Sequence, residues 1–149
     1  LYDYPCNQFV AGFIGSPQMN FVDAKCKVVG NKVYLVAGPS EIELPPAKAK
    51  KLIDGGYEGK TVVLGIRPED VHDEQMFITS SPNTVIQAKI RVYEMLGAEV
   101  YLHFDYEGAT MTARVDPRTT ARTGDTVTFA FDAEKIHVFD KETEKTITN

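Results

Sequence analysis

The sequence predicts a mainly β protein, either a β-barrel or a β-sandwich. Apolar residues alternate with polar ones over much of the chain, which is the pattern of strands with one buried face. The alternating runs are short, and glycine- or asparagine-containing turns separate them at the spacing of hairpins. Only one internal segment has the composition of a helix. Many short strands with few helices are typical of small closed or two-layered β folds.

The first half of the chain contains four of these strands and the internal helix. The predicted strands are residues 22–28, 33–35, 42–44 and 61–66. The first two form a hairpin, because Gly30-Asn31 lies between them. Pro45-Pro46 opens the helix, which runs to Asp54 and ends at Gly55-Gly56.

The second half continues with strands alone. They are residues 86–92, 100–106, 111–115 and 127–131, with Ile136, Val138 and Ile147 closing the series. In the first of these strands the pattern places Val92 on the inner face. Before it, the acidic segment 68–74 is expected to be a solvated loop, and Ser80–Asn83 a turn. Gly97 breaks the chain between two strands by allowing a turn or a bulge, and Glu107-Gly108 turns it between the next two.

The N-terminal segment differs from the rest of the chain. Asn7 is a suitable helix N-cap, and Gly15-Ser16-Pro17 stops a helix. Between them, Phe9, Val10, Phe13 and Ile14 lie on one face at helical spacing. A helix this apolar is expected to pack on the β domain or on another copy of the chain.

Composition narrows the class of protein. The net charge of −5 disfavours a general role on nucleic acid or anionic membranes, since both require a basic face. The two cysteines, Cys6 and Cys26, are interpreted as reduced thiols, with Cys26 in the core. No apolar run approaches the roughly 20 residues of a membrane span, and no signal peptide is recognised. We therefore expect an intracellular, soluble domain.

One segment superficially resembles a nucleotide site. DGGYEGKT at residues 54–61 is similar to a phosphate loop, but Asp54 stands where that loop needs glycine. The predicted order is also reversed, because a phosphate loop follows a strand and opens a helix. An ABC signature, a Walker B carboxylate pair and a switch histidine are also lacking. We therefore predict no ATPase activity for this chain.

Other chemistry has weak support. Strand alternation places Glu99, Tyr101, His103 and Asp105 on one face, where imidazole and carboxylate groups are ordinary metal ligands. A solvated polar face is the more common explanation, and we favour it. His72 and His137 have no partner at ligand spacing. The sequence thus predicts no metal site and no catalytic residue.

Four blocks of sequence resemble one known family. They are YPCNQFVAGFIGSP at residues 4–17, GIRPED at 65–70, EMLGAEVYLHF at 94–104 and FDAEKIHVFD at 131–140. The blocks occur in matching order and are spread over nearly the whole chain, from residue 4 to residue 140. The chain resembles the C-terminal part of the MalK/MsmK/UgpC-type ATP-binding subunits of bacterial ABC importers for maltose and multiple sugars.

The resemblance implies an OB-like barrel of the transport-associated (TOBE) type, elaborated by extra strands. It implies that residues 1–15 are the end of a nucleotide-binding domain with its junction helix, and that residues 16–149 are a regulatory domain. ATP and Mg²⁺ belong to the parent protein, so no cofactor is expected in this chain.

The resemblance also implies partners and a location. The partners are a second copy of the subunit, its own nucleotide-binding domain, the permease subunits through that domain, and a phosphotransferase-type regulatory protein. The expected location is the cytoplasmic side of the cell membrane, as part of the transporter, and the function is regulation and dimerisation of an ATP-hydrolysing subunit.

Two sets of residues follow from this interpretation. Outward-facing aromatic and charged residues are candidates for an interface or a regulatory contact, since Tyr and Arg suit interface cores. They are Arg91, Tyr93, Glu94, Glu99, Tyr101 and His103. Residues of the family blocks that we expect to maintain the fold are Gly15, Pro17, Arg67, Pro68, Glu69 and Gly97.

An alternative function belongs to a different class. OB barrels also bind small ligands across a strand face, so a sugar- or oxyanion-sensing module stays open at this point. The chain has no tryptophan, the side chain that most often stacks on sugars.

Overall fold

The computed structural model describes residues 3–8 and 17–149 and contains two antiparallel sheets. The six-stranded sheet has the order β11-β10-β4-β1-β2-β3. Its strands are β1 (Asn20–Val29), β2 (Lys32–Ala37), β3 (Ser40–Glu43), β4 (Thr61–Ile66), β10 (His137–Asp140) and β11 (Thr146–Thr148). The predicted hairpin around Gly30-Asn31 is confirmed, with Val29 opposite Lys32.

The five-stranded sheet has the order β5-β9-β6-β7-β8. Its strands are β5 (Val71–His72), β6 (Val85–Leu96), β7 (Glu99–Tyr106), β8 (Ala109–Val115) and β9 (Thr126–Phe131). The β6–β7–β8 meander follows from the two turns that the sequence marks, one at Gly97 and one at Glu107-Gly108, where Tyr106 lies opposite Ala109.

Helices are few and short within the described part of the chain. Helix α1 (Pro46–Asp54) is the predicted internal helix, with proline at its start and Gly55 donating its N–H to the carbonyl of Lys51 at its end. Helix α2 (Gln75–Ser80) and three single 3₁₀ turns complete the set. The turns are Pro68–Asp70, Pro82–Thr84 and Ala133–Lys135.

One hydrophobic core lies between the two sheets. Both sheets contribute strand residues that the alternating sequence pattern predicted to face inward. These residues are fully buried in the core, among them Leu35, Leu64, Leu102 and Phe129. Cys26 is buried there as a free thiol, as predicted, whereas Cys6 is exposed. The predicted mainly β class is confirmed by this architecture.

A side chain joins the two sheets. Asn20, at the start of β1, is buried and donates its amide Nδ2–H to the carbonyl of Thr112 on the edge strand β8, at 2.9 Å. The Thr112 backbone N–H in turn donates to Asn20 Oδ1 at 2.8 Å. The amide therefore satisfies both backbone groups of an edge residue, which would otherwise lack a strand partner.

Three local expectations are corrected by the structure. The acidic segment 68–74 is not a solvated loop, because Pro68 and Val71 are buried and strand β5 pairs with β9. Helix α2 was not predicted, since its six residues are too few to show a helical period. Val92 does not face the core: it is 42% exposed, because a β-bulge at Arg91 shifts the register of β6.

The predicted junction helix, with Phe9, Val10, Phe13, Ile14 and Gly15, lies outside the described residues. The segment before it is attached to the six-stranded sheet. Gln8 donates its backbone N–H to the carbonyl of Glu144 at 2.9 Å, and Thr146 donates its hydroxyl to the carbonyl of Pro5 at 2.8 Å. Residues 5–8 thereby lie along the edge formed by β11, with one bridge between Asn7 and Lys145.

Candidate functional site

The β-bulge in β6 determines which side chains reach the outer face of the five-stranded sheet. Before the bulge, Ile90 lies opposite Phe104 and is buried. After it, Val92 lies opposite His103 and Glu94 opposite Tyr101. Because one extra residue reverses the alternation, Val92, Glu94 and Leu96 face outward beyond this point.

His103 lies at the centre of this outer face. Its Nε2 is 2.5 Å from Glu94 Oε1 on β6, and its Nδ1 is 2.9 Å from the Thr112 hydroxyl on β8. If Nε2–H donates to the carboxylate, Nδ1 accepts from the hydroxyl, so the neutral ring satisfies both neighbours. The three side chains form one hydrogen-bonded row across three strands, and only a quarter of His103 is open to solvent.

Parallel rows of polar contacts lie on either side of His103. The Tyr101 hydroxyl donates to Glu99 Oε2 at 3.0 Å, and Arg114 Nη1 lies 3.8 Å from Glu99 Oε1. On the other side, Arg91 Nη1 lies 3.7 Å from Asp105 Oδ2. Desolvation and the bond to Glu99 raise the pKa of Tyr101, which stays a hydrogen-bond donor at neutral pH.

Exposed apolar side chains lie at the end of this hairpin. Val92 is 42% exposed, Met95 57% and Leu96 51%, all within five residues of β6. Gly97 has φ +63°, the left-handed conformation that its turn requires, which confirms the predicted turn. We call the outward set of Val92, Glu94, Leu96, Glu99, Tyr101, His103, Thr112 and Arg114 the hairpin face.

One predicted interface residue points the other way. Tyr93 lies opposite Leu102 and packs against the hydrophobic core, because the bulge turns it inward. The guanidinium of Arg122 lies 4.6 Å from the centre of its ring, an arrangement that favours a cation–π contact. The structure therefore brings Glu94, Glu99, Tyr101 and His103 together, leaves Arg91 at their margin, and separates Tyr93 from them.

The family block at residues 65–70 lies at the end of β4, where its side chains are buried or half-buried. Arg67 is extended, with φ −77° and ψ 151°, and it ends β4 before Pro68 begins a 3₁₀ turn, as predicted. Arg67 is 3% exposed, and with half-buried Glu69 it lines a small cavity of about 230 Å³ beside His137. Burial, with Lys48 and Arg67 near, lowers the pKa of His137. Pro17, in the first block, is half-buried.

Sequence reasoning missed a cluster of possible ligands. Asp70, His72 and Asp132 each offer one ligand atom, and these atoms lie within 4.8 Å of one another. Desolvation, with the nearby charges of Glu69 and Asp132, raises the pKa of Asp70 to about 6. The signal was long-range, because Asp132 comes 60 residues after His72 and 62 after Asp70, and only the pairing of β5 with β9 joins them.

Thr112 was also missed, although the sequence contained its signal. Counting back from the predicted turn at Glu107-Gly108 places Thr112 opposite His103, as found.

The phosphate-loop-like segment 54–61 lies between a helix and a strand, in the predicted order: helix α1 precedes it and strand β4 follows it. Among the described residues, no helix is long and apolar enough to cross a membrane.

Fold and surface together define a small two-sheet β domain of the OB class with a polar, solvent-facing hairpin. The comparison of sequences identifies its family: residues 15–71 match the MalK OB fold domain and residues 64–139 match the TOBE domain. The second match covers more than half of the chain. The chain therefore belongs to the TOBE domain family.

Curated relatives give the same family. The chain is 44% identical over 144 residues to the oligosaccharides import ATP-binding protein MsmX of Bacillus subtilis, covering 97% of this chain and 38% of that protein. It is 38% identical to the trehalose/maltose import ATP-binding protein MalK of Thermococcus litoralis, covering 99% and 39%. The chain thus spans less than two fifths of these relatives, and it corresponds to their C-terminal part.

A solved structure shows the same fold. It is the cytoplasmic molybdate-binding protein ModG with molybdate bound, which aligns with a TM-score of 0.61 over 84% of this chain and 96% of that chain. The sequence identity is 13%, so this likeness concerns the fold alone.

Proposed function

We propose that this chain is the regulatory and dimerisation domain of the ATP-hydrolysing subunit of an ABC sugar importer. The observation that carries the proposal is the match of nearly the whole chain to the C-terminal part of import ATP-binding proteins. In the parent protein, ATP and Mg²⁺ bind the nucleotide-binding domain, and residues 1–15 connect that domain to residues 16–149. Permease subunits contact the nucleotide-binding domain, and the assembly lies at the cytoplasmic side of the membrane.

The hairpin face is the surface that we assign to the second copy. It combines an aromatic ring, an exposed aliphatic side chain and groups of both charge signs, namely Tyr101, Leu96, Glu99 and Arg114. A face with both signs of charge suits a two-fold contact, in which the same patch meets itself. A partner that prefers one dimer arrangement, such as a phosphotransferase-type protein, then biases the ATPase cycle through a coupling free energy.

The proposal is tested by light scattering over a concentration series. We expect residues 1–149 on their own to associate weakly, because the nucleotide-binding domain of the parent protein would act as a tether that raises the effective concentration. Leu96→Glu and Tyr101→Glu are expected to shift the series towards monomer without lowering the melting temperature. Val29→Glu is the matched control, since Val29 is 54% exposed but belongs to the other sheet. A monomeric mass up to about 1 mM, well above the concentrations that specific interfaces need, contradicts dimerisation.

A second experiment separates this function from ligand sensing. A sensor gains stability by mass action when its ligand is added, whereas an interaction domain does not respond. A thermal-shift screen with maltose, trehalose and molybdate is expected to leave the melting temperature unchanged. One cavity of about 740 Å³ argues against an oxyanion in particular, because Asp73, Glu74, Asp116 and Asp125 line it with a single arginine. Isothermal titration with ATP and Mg²⁺ is likewise expected to show no stoichiometric binding.

A further inference from the structure

The pairing of β5 with β9 brings two carboxylates together at an edge of the five-stranded sheet. Val71 lies opposite Phe131 and His72 opposite Ala130, and the backbone N–H of Asp132 donates to the carbonyl of Asp70 at 2.9 Å. Val71 and Phe131 are buried in the core, so Asp70 and Asp132 both face away from it. The register therefore places these two acidic side chains across from each other.

Two like charges at cross-strand positions oppose each other and destabilise a sheet. Lys135 acts on the charge of Asp70, and Lys48 acts on that of Asp132. These cations offset part of the repulsion, and a divalent ion bound between the two half-buried carboxylates would offset the rest.

His72 adds a nitrogen to these oxygens, and its ring is held in place. Its Nδ1 lies 3.1 Å from Glu74 Oε2, and its ring stacks on Phe77 with the ring centres 4.0 Å apart. A carboxylate on one ring nitrogen fixes the tautomer and leaves the other nitrogen free as a ligand, which is the usual arrangement around metal-binding histidines.

We propose that Asp70, His72 and Asp132 form a binding site for a divalent transition-metal ion of the zinc type, a role separate from the regulatory function. One imidazole and two carboxylates are suitable ligands for such an ion, and water completes the coordination. The ligand atoms lie within 4.8 Å of one another. Tetrahedral bonds of about 2.0–2.2 Å place ligand atoms about 3.3–3.6 Å apart, so side-chain shifts of about 1 Å close the site.

Zinc titration of the chelator-treated chain tests the site. Because Cys6 is an exposed thiol that binds zinc on its own account, the titration uses the Cys6→Ser protein. We expect one zinc ion per chain by calorimetry, and a rise in melting temperature that increases with zinc concentration. Asp70→Asn and His72→Gln are each expected to weaken binding roughly tenfold or more, since each removes a ligand.

His103→Gln is the matched control. His103 contacts one carboxylate, that of Glu94, but its other neighbour is the Thr112 hydroxyl and not a second carboxylate. Its zinc affinity is expected to equal that of the Cys6→Ser protein. The melting temperature of each variant without zinc shows whether it is folded. The proposal is wrong if the Cys6→Ser protein shows no saturable 1:1 binding below about 100 μM zinc, or if folded Asp70→Asn and His72→Gln variants bind as tightly as the control.

Discussion

The outer faces of the two sheets differ in what they carry. On the six-stranded sheet, Met19, Val63 and Phe139 form a second, buried apolar cluster with Phe21 packed against it. On the five-stranded sheet, the hairpin face carries hydrogen-bonded polar groups such as Glu94 and His103, which are partly open to solvent. One sheet thus has apolar residues on both faces, whereas the described part of the other has a polar outer face.

This difference separates stability from recognition. A buried apolar cluster contributes through the area it removes from water, so its residues are held by packing. Partly exposed polar pairs contribute little net stability, and their residue types are therefore available for contacts with a partner. Substitutions on the outer face of the six-stranded sheet should lower the free energy of unfolding, and those on the hairpin face should change association instead.

The largest effect is expected for Phe139→Ala. Phe139 is fully buried and meets Phe21 edge to face, with ring centres 5.8 Å apart. Loss of its ring leaves a cavity and should lower the free energy of unfolding by roughly 3–5 kcal/mol. Urea denaturation followed by circular dichroism measures this change. The control is Val92→Ala on the hairpin face, which should cost under about 1 kcal/mol because Val92 is 42% exposed. Equal costs at the two positions contradict the comparison.

Gly65→Ala should have the next largest effect. A Cβ atom added at Gly65 would lie 2.7 Å from Met19 Sδ and 2.8 Å from Phe139 Cε2, closer than carbon atoms approach without displacement. The extra methyl group therefore overpacks the apolar cluster and should lower the free energy of unfolding by about 1–3 kcal/mol. The same denaturation series measures it. An unchanged midpoint shows that Met19 moves aside freely and that the cluster is loosely packed.

The strand that contains Gly65 is an example of what local sequence patterns predict well. Local patterns identified β4 as an apolar strand and gave its bounds, because five consecutive apolar or small residues are buried there on both faces. The turns at Gly30, Gly97 and Gly108 were predictable in the same way, since each glycine has a positive φ that other residues rarely adopt. Strands and turns were thus largely encoded within a few residues.

The rest depended on interactions between distant segments. The bulge at Arg91 is not marked by glycine or proline, so the alternation of β6 predicted Val92 inside and Tyr93 outside, the reverse of what is found. The pairing of β5 with β9 joins Asp70 to Asp132 across 62 residues, and no local pattern reports it. Register errors of one residue change every later side chain of a strand, which is why the site was predicted less well than the fold.

A smaller effect on the free energy of unfolding is expected from the protonation of His137 on β10. Burial lowers the pKa of His137 below its ordinary value of 6.5, with Lys48 and Arg67 acting in the same direction, while Asn149 and Asp3 oppose them. The unfolded chain therefore takes up a proton near pH 6.5 that the folded protein takes up only at lower pH. The stability should be complete above pH 6.5 and fall as the pH drops below it.

The His137→Gln variant provides the reference for this pH dependence. Unfolding by urea at several pH values between about 7.5 and 5.5 should give a shallower loss of stability for the variant than for the unchanged protein. The absolute stability of the variant does not matter for this comparison, because only the slope with pH reports the proton. Identical slopes would show that His137 titrates alike in the folded and unfolded chain.

The smallest effect on stability is expected at the centre of the hairpin face. His103 Nε2 and Glu94 Oε1 are 2.5 Å apart, yet 23% and 44% of these two side chains are exposed. Water therefore competes for both groups, and a double-mutant cycle with His103→Gln and Glu94→Gln should give a coupling of about 0–1 kcal/mol. The same variants should weaken self-association in the light-scattering series, since they alter the middle of the proposed interface. A coupling above about 2 kcal/mol would show that this pair stabilises the fold, as the apolar cluster on the other sheet does. The proposed difference between the two outer faces would then be wrong.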